Sequence, residues 1–551
     1  MESSTLDEFF GPGHSEQPLG FVLSGSLSEG LGVKLDPRYS IEHLAVGRYV
    51  VIHGHQSGRT FFGIITDIAL GASNPDLTHR PPNMEQPFTL EVYLGEVAYA
   101  TLHVSPMLML DETDDQPRPI KTIPSHFSPV FEASAADVAR VFGDEDDTHF
   151  YVGTPLDMET VQVNLDLERL VERSSGVFGK TGTGKSFITR TLLAGIIQSG
   201  IASSLIFDMH NDYGWTVKDE SGREYKGLRQ LFQDGQVSVI TLDEDTSRAR
   251  GSKIDGALKI GYEEIEPEDI EMLSGLLGLS EIQTGALYFL YRRLGKNWIA
   301  KLLDEDPEAD DLQDMVDSGR IVAGTLGAIR RKFEAFIPRM GFLVPGAGNN
   351  AVDDIFNRLR MGTSVALEFG NYGNTLAAYM LVANYLTRRI HSRYVHQKNM
   401  AAGNKAEEPR PLVIVIEEAH KFLDPAVTSH TIFGTIAREL RKYNVTLLIV
   451  DQRPSGIEDE VMSQIGTRVT CLLDNEADIR AVFSGVSGSS ALREVLARLD
   501  TRQQALILGH AVPMPVVVRT RDYDQSFYAT IAGDREKGVK SRKSTESLFG
   551  E

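Results

Sequence analysis

The chain has 551 residues, enough for two to four domains at about 150 residues each. Hydrophobic residues make up 41% and charged residues 24%, and no apolar run approaches the roughly 18 to 20 residues of a membrane span, which excludes a membrane-spanning helical protein. The net charge of −22 excludes a protein that coats nucleic acid with its whole surface, but it allows a local basic channel.

The acidic residues are concentrated at the start of the chain. Residues 1–150 contain 22 Asp or Glu against 8 Lys or Arg, a balance of −14, so a DNA-binding face is not expected there. The opening MESSTLDEFFGPG has no basic or apolar part of a secretory signal. The single cysteine, Cys471, lies in the apolar run RVTCLLD, where it is typical of a core residue. We therefore expect a cytoplasmic protein without a membrane partner.

After a flexible start over 1–17, residues 18–120 predict a small antiparallel β-barrel or sandwich. Short runs of β-branched and aromatic residues are broken there by glycine and proline, in GFVLSGSL, VGRYVVIHG, RTFFGIITDIAL and FTLEVYLGEVAYATLHV. The acidic, proline-bearing stretch DETDDQPRPIKTIPS then indicates a linker, and we assign 121–173 to a linker and entry segment.

From residue 174 onward, apolar strands alternate with helices, which predicts an α/β fold with a mostly parallel sheet. The predicted strands are SGVFG, SSLIFDMH, VSVITLD, SVALEFG, LVIVIEE, VTLLIVD, RVTCLLD and QALILGH. They form two core parts, 174–255 and 346–525, on either side of a helical subdomain inserted over 256–345. The C-terminal tail covers 526–551. The segment VHQKNMAAGNKAEEPRP and the tail sequence GDREKGVKSRKSTESLFGE have the composition of disordered chain.

The strongest motif is GKTGTGKS, from Gly179 to Ser186, placed between an apolar strand and a helix. Glycines at 182 and 184 let backbone N–H groups turn toward phosphate oxygens, and the helix N-terminus adds its dipole. Lys185 is expected to reach the β- and γ-phosphates, and the Ser186 hydroxyl to bind Mg²⁺. The predicted ATP contacts are Gly179, Lys180, Thr181, Gly182, Thr183, Gly184, Lys185, Ser186 and Phe187.

A phosphate-binding loop needs carboxylates nearby for hydrolysis, and LVIVIEEAH supplies two at the end of a strand. We assign Glu417 to the Mg²⁺ ion and Glu418 to the attacking water. Glutamate rather than the usual aspartate at the first position leaves the division of labour between the two open.

Two further strand ends carry polar side chains, and open α/β sheets bind ligands at that edge. LIFDMHNDY brings together Asp208, His210 and Asp212, which is consistent with a metal site, with a supporting role for Asp208 near Mg²⁺ or water, or with a structural turn; we prefer the supporting role. VTLLIVDQ ends on Gln452, which is suited to contact the γ-phosphate or water.

In this order, GKTGTGKS, LIFDMHNDY, LVIVIEEAH and RELRKYNVTLLIVDQRPSG resemble the HerA family of hexameric ATPases, which is grouped with FtsK-type DNA pumps. The N-terminal segment is similar to that family's HAS-barrel domain, and the resemblance covers about residues 18–525. It implies a RecA-like core, a homohexamer with ATP sites between neighbours, and double-stranded DNA moved through a central pore. It also implies a partner on the barrel, either a NurA-type nuclease in DNA end processing or an effector in anti-phage defence.

The ring gives a role to the arginines of IARELRKY. On a helix ending near Tyr443, Arg438 and Arg441 point away from the apolar stripe of Ile432, Ile436 and Leu440. By resemblance, Arg441 is our first choice for a finger that acts on the neighbour's ATP, Arg438 the second and Lys442 the third. A solvated charged face is the alternative.

Three functions follow from these features: a DNA translocase that works with a nuclease, an ATPase that regulates a defence effector, or a hexameric scaffold with incidental hydrolysis. The basic stretch RRKFEAFIPR, 330–339, is a candidate DNA contact, although we favour a solvated helix face for it. The tail is either a brace across a neighbour or an interaction tag.

Overall fold

The computed structural model describes residues 17–55, 58–73, 97–111, 114–156, 158–218, 222–304, 310–401, 403–404, 407–486, 489–500 and 503–533. The chain divides into two compact units. The first unit comprises Met1–Asp166, Gly179–Gly184 and Thr467–Arg521, and the second comprises Leu167–Phe178, Lys185–Gly466 and Asp522–Glu551. The predicted flexible start and most of the predicted tail lie outside the described residues.

The strands, in chain order, are β1 (Gly20–Ser26), β2 (Gly30–Leu35), β3 (Tyr49–His53), β4 (Thr60–Ala72), β5 (Ala98–Asp111), β6 (Asp114–Pro119), β7 (Pro129–Glu132), β8 (His149–Pro155), β9 (Val163–Asp166), β10 (Ser175–Phe178), β11 (Ser203–Asp208), β12 (Val217–Lys218), β13 (Glu224–Tyr225), β14 (Val237–Thr241), β15 (Gly256–Ala257), β16 (Ile260–Gly261), β17 (Leu343–Val344), β18 (Ser364–Glu368), β19 (Leu412–Glu417), β20 (Val445–Asp451), β21 (Thr467–Thr470), β22 (Gln504–Gly509) and β23 (Val516–Thr520).

The α-helices are Ala135–Phe142, Leu167–Glu172, Lys185–Ser199, Leu228–Leu231, Glu244–Ala249, Pro267–Glu271, Ser274–Leu277, Glu281–Leu294, Trp298–Leu303, Asp310–Asp317, Ala323–Phe336, Ala351–Arg360, Leu376–Met400, His420–Leu423, Ile432–Glu439, Asp459–Gln464, Glu476–Val482 and Ser489–Ala497. Residues 525–533 are also helical. Among the described residues, no helix is both long enough and apolar enough to span a membrane.

The first unit contains a closed barrel. Its strands follow the order β2-β1-β7-β3-β4-β5, and the pairing of β2 with β5 closes the sheet. Inward-facing side chains such as Val33, Val50 and Phe61 fill the interior. Strand β7 falls within the segment assigned to a linker, so the barrel extends beyond the predicted boundary at residue 120. The same unit holds a second, antiparallel run of strands in the order β21-β22-β23-β8-β9.

The second unit is built on seven parallel strands in the order β15-β14-β18-β11-β19-β20-β10. Every residue of β11, β19 and β20 is buried, as expected for parallel strands covered on both faces. All eight strands predicted for the α/β region are present, so the α/β fold class with an N-terminal barrel is confirmed. The helix Leu376–Met400 extends into VHQKNM, which composition had assigned to disorder.

Between β16 and β17 the chain forms a group of helices packed around Trp298, which is fully buried and donates its indole N–H to the Ile265 carbonyl at 2.9 Å. Phe333 packs edge-on against Trp298, and Phe336 is also buried. Arg330 pairs with Glu334 on the same helix. The phenylalanines of the candidate DNA stretch therefore serve the core, which favours the solvated-face interpretation of its charged side chains.

Candidate functional site

The polar strand ends predicted from the sequence lie at one edge of the second unit's sheet. Strands β11, β19, β20 and β10 are consecutive neighbours and run parallel, so their carboxyl ends are adjacent. Asp208 ends β11, Glu417 ends β19 and Asp451 ends β20. The helix Lys185–Ser199, which follows the glycine-rich loop, packs on β10 and β11. The candidate catalytic side chains of this unit are therefore held on neighbouring strands.

The glycine-rich loop has the backbone that phosphate binding requires. Gly182 has φ 82° and Gly184 has φ 102°, both in the left-handed region that favours glycine. A Cβ atom at either position would contact nothing within 4 Å, so backbone conformation rather than lack of room explains the two glycines. The helix begins at Lys185, and Lys185, Ser186 and Phe187 are each only half-buried. The N–H groups of a helix's first turn have no partner within the helix, and they give this end of the helix a partial positive charge.

Contacts within the first unit fix the middle of this loop. The Thr183 hydroxyl donates to the Lys180 carbonyl at 2.7 Å, and the Lys180 N–H donates to the Leu472 carbonyl at 3.0 Å. The Lys180 ammonium pairs with Asp474 at 2.5 Å, with both side chains largely exposed. Thr181 lies at the exposed outer side of the turn. The Lys180 side chain therefore contacts a carboxylate of its own chain, and the loop backbone is held by its hydrogen bond to the Leu472 carbonyl.

Glu417 has one satisfied and one unsatisfied carboxylate oxygen. The residue is only 7% exposed, and its Oε1 accepts a hydrogen bond from the Tyr213 hydroxyl at 2.9 Å. Its Oε2 is buried and has no hydrogen-bond partner. Burial, reinforced by the nearby negative charge of Asp208, raises the pKa of Glu417 to about 8. A bare, buried carboxylate oxygen is costly unless a cation binds it, so the residues present fit a Mg²⁺ ion.

Glu418 occupies a different environment. Its backbone has φ 48°, a left-handed conformation that is rare for a residue with a side chain, and its side chain is about one-quarter exposed. The Gln452 amide donates to Glu418 Oε1 at 3.0 Å. The two predicted site residues at the ends of β19 and β20 are thus in direct contact. Glu417 is buried at the inner position and Glu418 reaches solvent, which suits metal binding by the first and water activation by the second.

A buried Asp–His pair supports this turn, and sequence reasoning did not single it out. The Asp451 carboxylate is 1% exposed and accepts the backbone N–H of His420 at 2.7 Å and that of Arg453 at 2.6 Å. The His420 ring Nδ1 lies 3.0 Å from Asp451 and 3.6 Å from Glu418. The turn that carries Glu418 is therefore tied to the end of β20.

Asp208 holds the turn that follows β11. It is fully buried, and its oxygens accept backbone N–H groups from Asp212 at 2.6 Å and from Tyr213 and Gly214 at 2.9 Å each. Burial raises its pKa despite these hydrogen bonds. Within the part of the chain that the structure describes, no three His, Cys, Asp or Glu side chains form a metal-binding cluster, so Asp208, His210 and Asp212 do not make one.

The two candidate finger arginines lie on different elements, Arg438 on the helix Ile432–Glu439 and Arg441 on the turn that follows it. The α-helix ends at Glu439, and Leu440–Tyr443 continues as a 3₁₀ turn, earlier than the predicted end near Tyr443. The Arg438 guanidinium pairs with Glu458 at 2.6 Å and with Glu460 at 3.1 Å. Arg441 lies on the 3₁₀ turn, and its side chain falls outside the described residues.

Comparison with known proteins agrees with the motif order. The family described as Helicase HerA, central domain, matches residues 150–390. The chain is 23% identical over 418 residues to the DNA double-strand break repair helicase HerA of Pyrococcus furiosus, covering 72% of this chain and 73% of that protein. It is 26% identical over 392 residues to the protein of the same name from Sulfurisphaera tokodaii, covering 70% and 72%. The predicted resemblance to the HerA family is confirmed.

Among solved structures, the bacterial conjugative coupling protein TrwB (TrwBdeltaN70) aligns with a TM-score of 0.46 and 11% identity over 72% of this chain and 93% of that one. At that score we draw nothing from the likeness.

Proposed function

We propose that this chain is a HerA-type ATPase that hydrolyses ATP to move double-stranded DNA. The observation that carries the proposal is the pair Glu417–Glu418 at the end of β19, one carboxylate buried with a bare oxygen and the other solvent-accessible and held by Gln452. The helix Lys185–Ser199, which follows the glycine-rich loop in the chain, packs on β10 and β11, and β10 lies two strands from β19. The helicase names of the matching relatives support DNA as the substrate on which hydrolysis acts.

Each group has a defined task in this proposal. The loop Gly179–Ser186 holds the phosphates, and Lys185 neutralises charge on the β- and γ-phosphates. Ser186 and Glu417 would hold Mg²⁺, which would supply electrostatic stabilisation to the phosphate oxygens. Glu418 orients the attacking water and accepts its proton, while Gln452 fixes the orientation of Glu418 and of that water. Asp208 supports the site by holding the turn behind Glu417.

We further propose a homohexamer in which an arginine completes the neighbour's ATP site. Arg441 is the first candidate by resemblance to the family, and it lies on the 3₁₀ turn before β20, at the opposite end of that strand from Gln452. Arg438 is the weaker candidate, since its guanidinium would have to leave Glu458 and Glu460 before reaching a neighbour. Double-stranded DNA passing through the ring would be contacted at its phosphates without sequence preference.

The relatives named for double-strand break repair support a role in DNA end processing, with a NurA-type nuclease as the proposed partner. The barrel is the proposed docking surface. Residues 1–150, which contain most of the barrel, carry a balance of −14, so they suit binding to a basic protein surface better than to DNA.

ATP hydrolysis measured with and without linear double-stranded DNA tests the proposal. We expect DNA to stimulate hydrolysis and expect Lys185→Ala and Glu418→Gln each to reduce it by about 100-fold or more. Glu494→Gln, an exposed carboxylate of the first unit, is the matched control and should leave the rate unchanged. Hydrolysis that ignores DNA, or that survives Glu418→Gln, would exclude a DNA-driven ATPase using this carboxylate. Single particles without sixfold rings in the presence of ATP and DNA would exclude the hexamer.

A further inference from the structure

We propose that Tyr213 is a positioning residue that gives the two oxygens of Glu417 separate tasks, binding Oε1 itself and leaving Oε2 to the metal ion of the bound nucleotide. The inference rests on the proposed function and deepens it. It assigns a role to a tyrosine at the end of LIFDMHNDY and explains why a buried aspartate precedes it in the chain.

The first step is that the turn after β11 is built to place Tyr213. Asp208 accepts the N–H groups of residues 212–214, including that of Tyr213 itself at 2.9 Å. The Tyr213 carbonyl accepts the N–H of Leu228 at 2.8 Å, and the buried Arg190 side chain donates from Nε to the Asp212 carbonyl at 2.9 Å. Both backbone groups of Tyr213 are therefore fixed, and its side chain is fully buried.

The second step is that Glu417 is held independently by its backbone. The Tyr379 hydroxyl accepts the Glu417 N–H and donates to the Glu417 carbonyl, each at 3.0 Å. With the backbone held in this way, the remaining freedom of Glu417 is rotation of its side chain. The Tyr213 hydroxyl removes that freedom by donating to Oε1 at 2.9 Å. Tyr379 therefore fixes the backbone of Glu417, and Tyr213, on a separate element, fixes its side chain.

The third step concerns the oxygen that remains. Oε2 is buried without a hydrogen-bond partner, an arrangement that a folded protein retains where a ligand satisfies it. Hydrogen bonds to ligating carboxylates orient them toward the metal, and loss of such a contact typically weakens metal binding about 10- to 100-fold. Tyr213 therefore acts on the metal through Glu417 rather than by contact with substrate.

The test compares Mn²⁺ binding by the full chain with a non-hydrolysable ATP analogue bound, measured from the electron paramagnetic resonance signal of free Mn²⁺. Tyr213→Phe keeps the buried ring and removes the hydroxyl, and we expect it to weaken Mn²⁺ binding by about 10-fold or more. Binding of a fluorescent ATP analogue in EDTA should stay unchanged. Tyr385→Phe is the matched control, because Tyr385 is equally buried and its hydroxyl bonds a different carboxylate, Glu264.

The outcomes separate this inference from the proposed function. Wild-type Mn²⁺ affinity in Tyr213→Phe, together with a loss in Glu417→Gln, would overturn the role of Tyr213 and leave the proposed function intact. Unchanged affinity in Glu417→Gln would overturn the metal assignment on which both rest. A loss of the same size in Tyr385→Phe would show that buried tyrosine hydroxyls matter for general packing alone. If Tyr213→Phe does not fold, Asp208→Asn, which releases the turn, must weaken Mn²⁺ binding in the same way.

Discussion

Replacing Glu368 by glutamine should remove part of the pH dependence of folding stability. Glu368 ends β18 and is fully buried, and its carboxylate accepts hydrogen bonds from Ser247 at 2.9 Å and from Ser252 at 3.4 Å. Burial, reinforced by the negative charge of Asp208, raises its pKa from 4.5 to about 7. Glutamine has nearly the same shape and carries no charge at any pH. It can accept from one serine and donate to the other.

The sign follows from the raised pKa of the folded state. Below pH 4.5 the carboxyl is protonated in both states, whereas between pH 4.5 and 7 the unfolded chain gives up the proton and the folded chain keeps it. Stability from this group is thus fully present below pH 4.5 and is lost as the pH rises to about 7. At about 1.4 kcal/mol for each pKa unit, the loss amounts to roughly 3 kcal/mol of unfolding free energy.

The assay is thermal unfolding at pH 5.0 and pH 7.5 for wild type, Glu368→Gln and the exposed control Glu494→Gln. We expect the wild-type midpoint to fall by several degrees more than that of Glu368→Gln between the two pH values, on the scale of about 2 to 4 °C per kcal/mol for a large domain. Glu494→Gln should follow wild type. Parallel pH slopes for wild type and Glu368→Gln would refute the claim that this carboxyl is held neutral by burial.

Three other predictions follow. Mixing Lys185→Ala with Arg441→Ala protein should restore ATP hydrolysis at interfaces that are intact on both sides, and no recovery after verified subunit exchange would contradict a finger acting in trans. His420→Ala should lower kcat by about 10-fold or more with little change in KM, because it loosens the turn that carries Glu418; equal losses in kcat and in nucleotide affinity would contradict this. Trp298→Ala should destabilise the inserted helices by about 3 to 5 kcal/mol, measured by hydrogen exchange of their amides, and unchanged protection there would contradict its role as their core.

The longer strands of the second unit, β10, β11, β14, β18, β19 and β20, were predictable because buried parallel strands appear in the sequence as continuous apolar runs. Strands β7 and β8 were not predicted. Strand β7 has only four residues and follows a proline-bearing acidic stretch, and its conformation depends on pairing with distant strands. Composition likewise could not show that VHQKNM continues the helix from Leu376, because packing along that helix fixes its end.

Some residues of the candidate site were predictable from the sequence and others were not. Glu417, Glu418 and Gln452 follow apolar strands directly, so their proximity could be inferred from strand order alone. Tyr379 sits inside a helix without a motif, and only the folded chain shows its hydroxyl on the backbone of Glu417. Tyr213 stands within a quoted motif, directly after the polar cluster. Its aromatic ring gave no local reason to expect contact with a carboxylate 204 positions away.

The helical insertion between β16 and β17 leaves and rejoins the sheet-bearing unit at one place, since Ile260 pairs with Leu343 and Gly261 with Val344. The segment from residue 262 to residue 342 leaves and returns through these two short strands. It is also tied to the helix Leu376–Met400 by Arg388, which pairs with Glu266 at 2.9 Å and with Asp269 at 2.6 Å. Because the chain enters and leaves the insertion at one place, a change in the length of the insertion does not alter the order of the strands that hold Glu417 and Glu418.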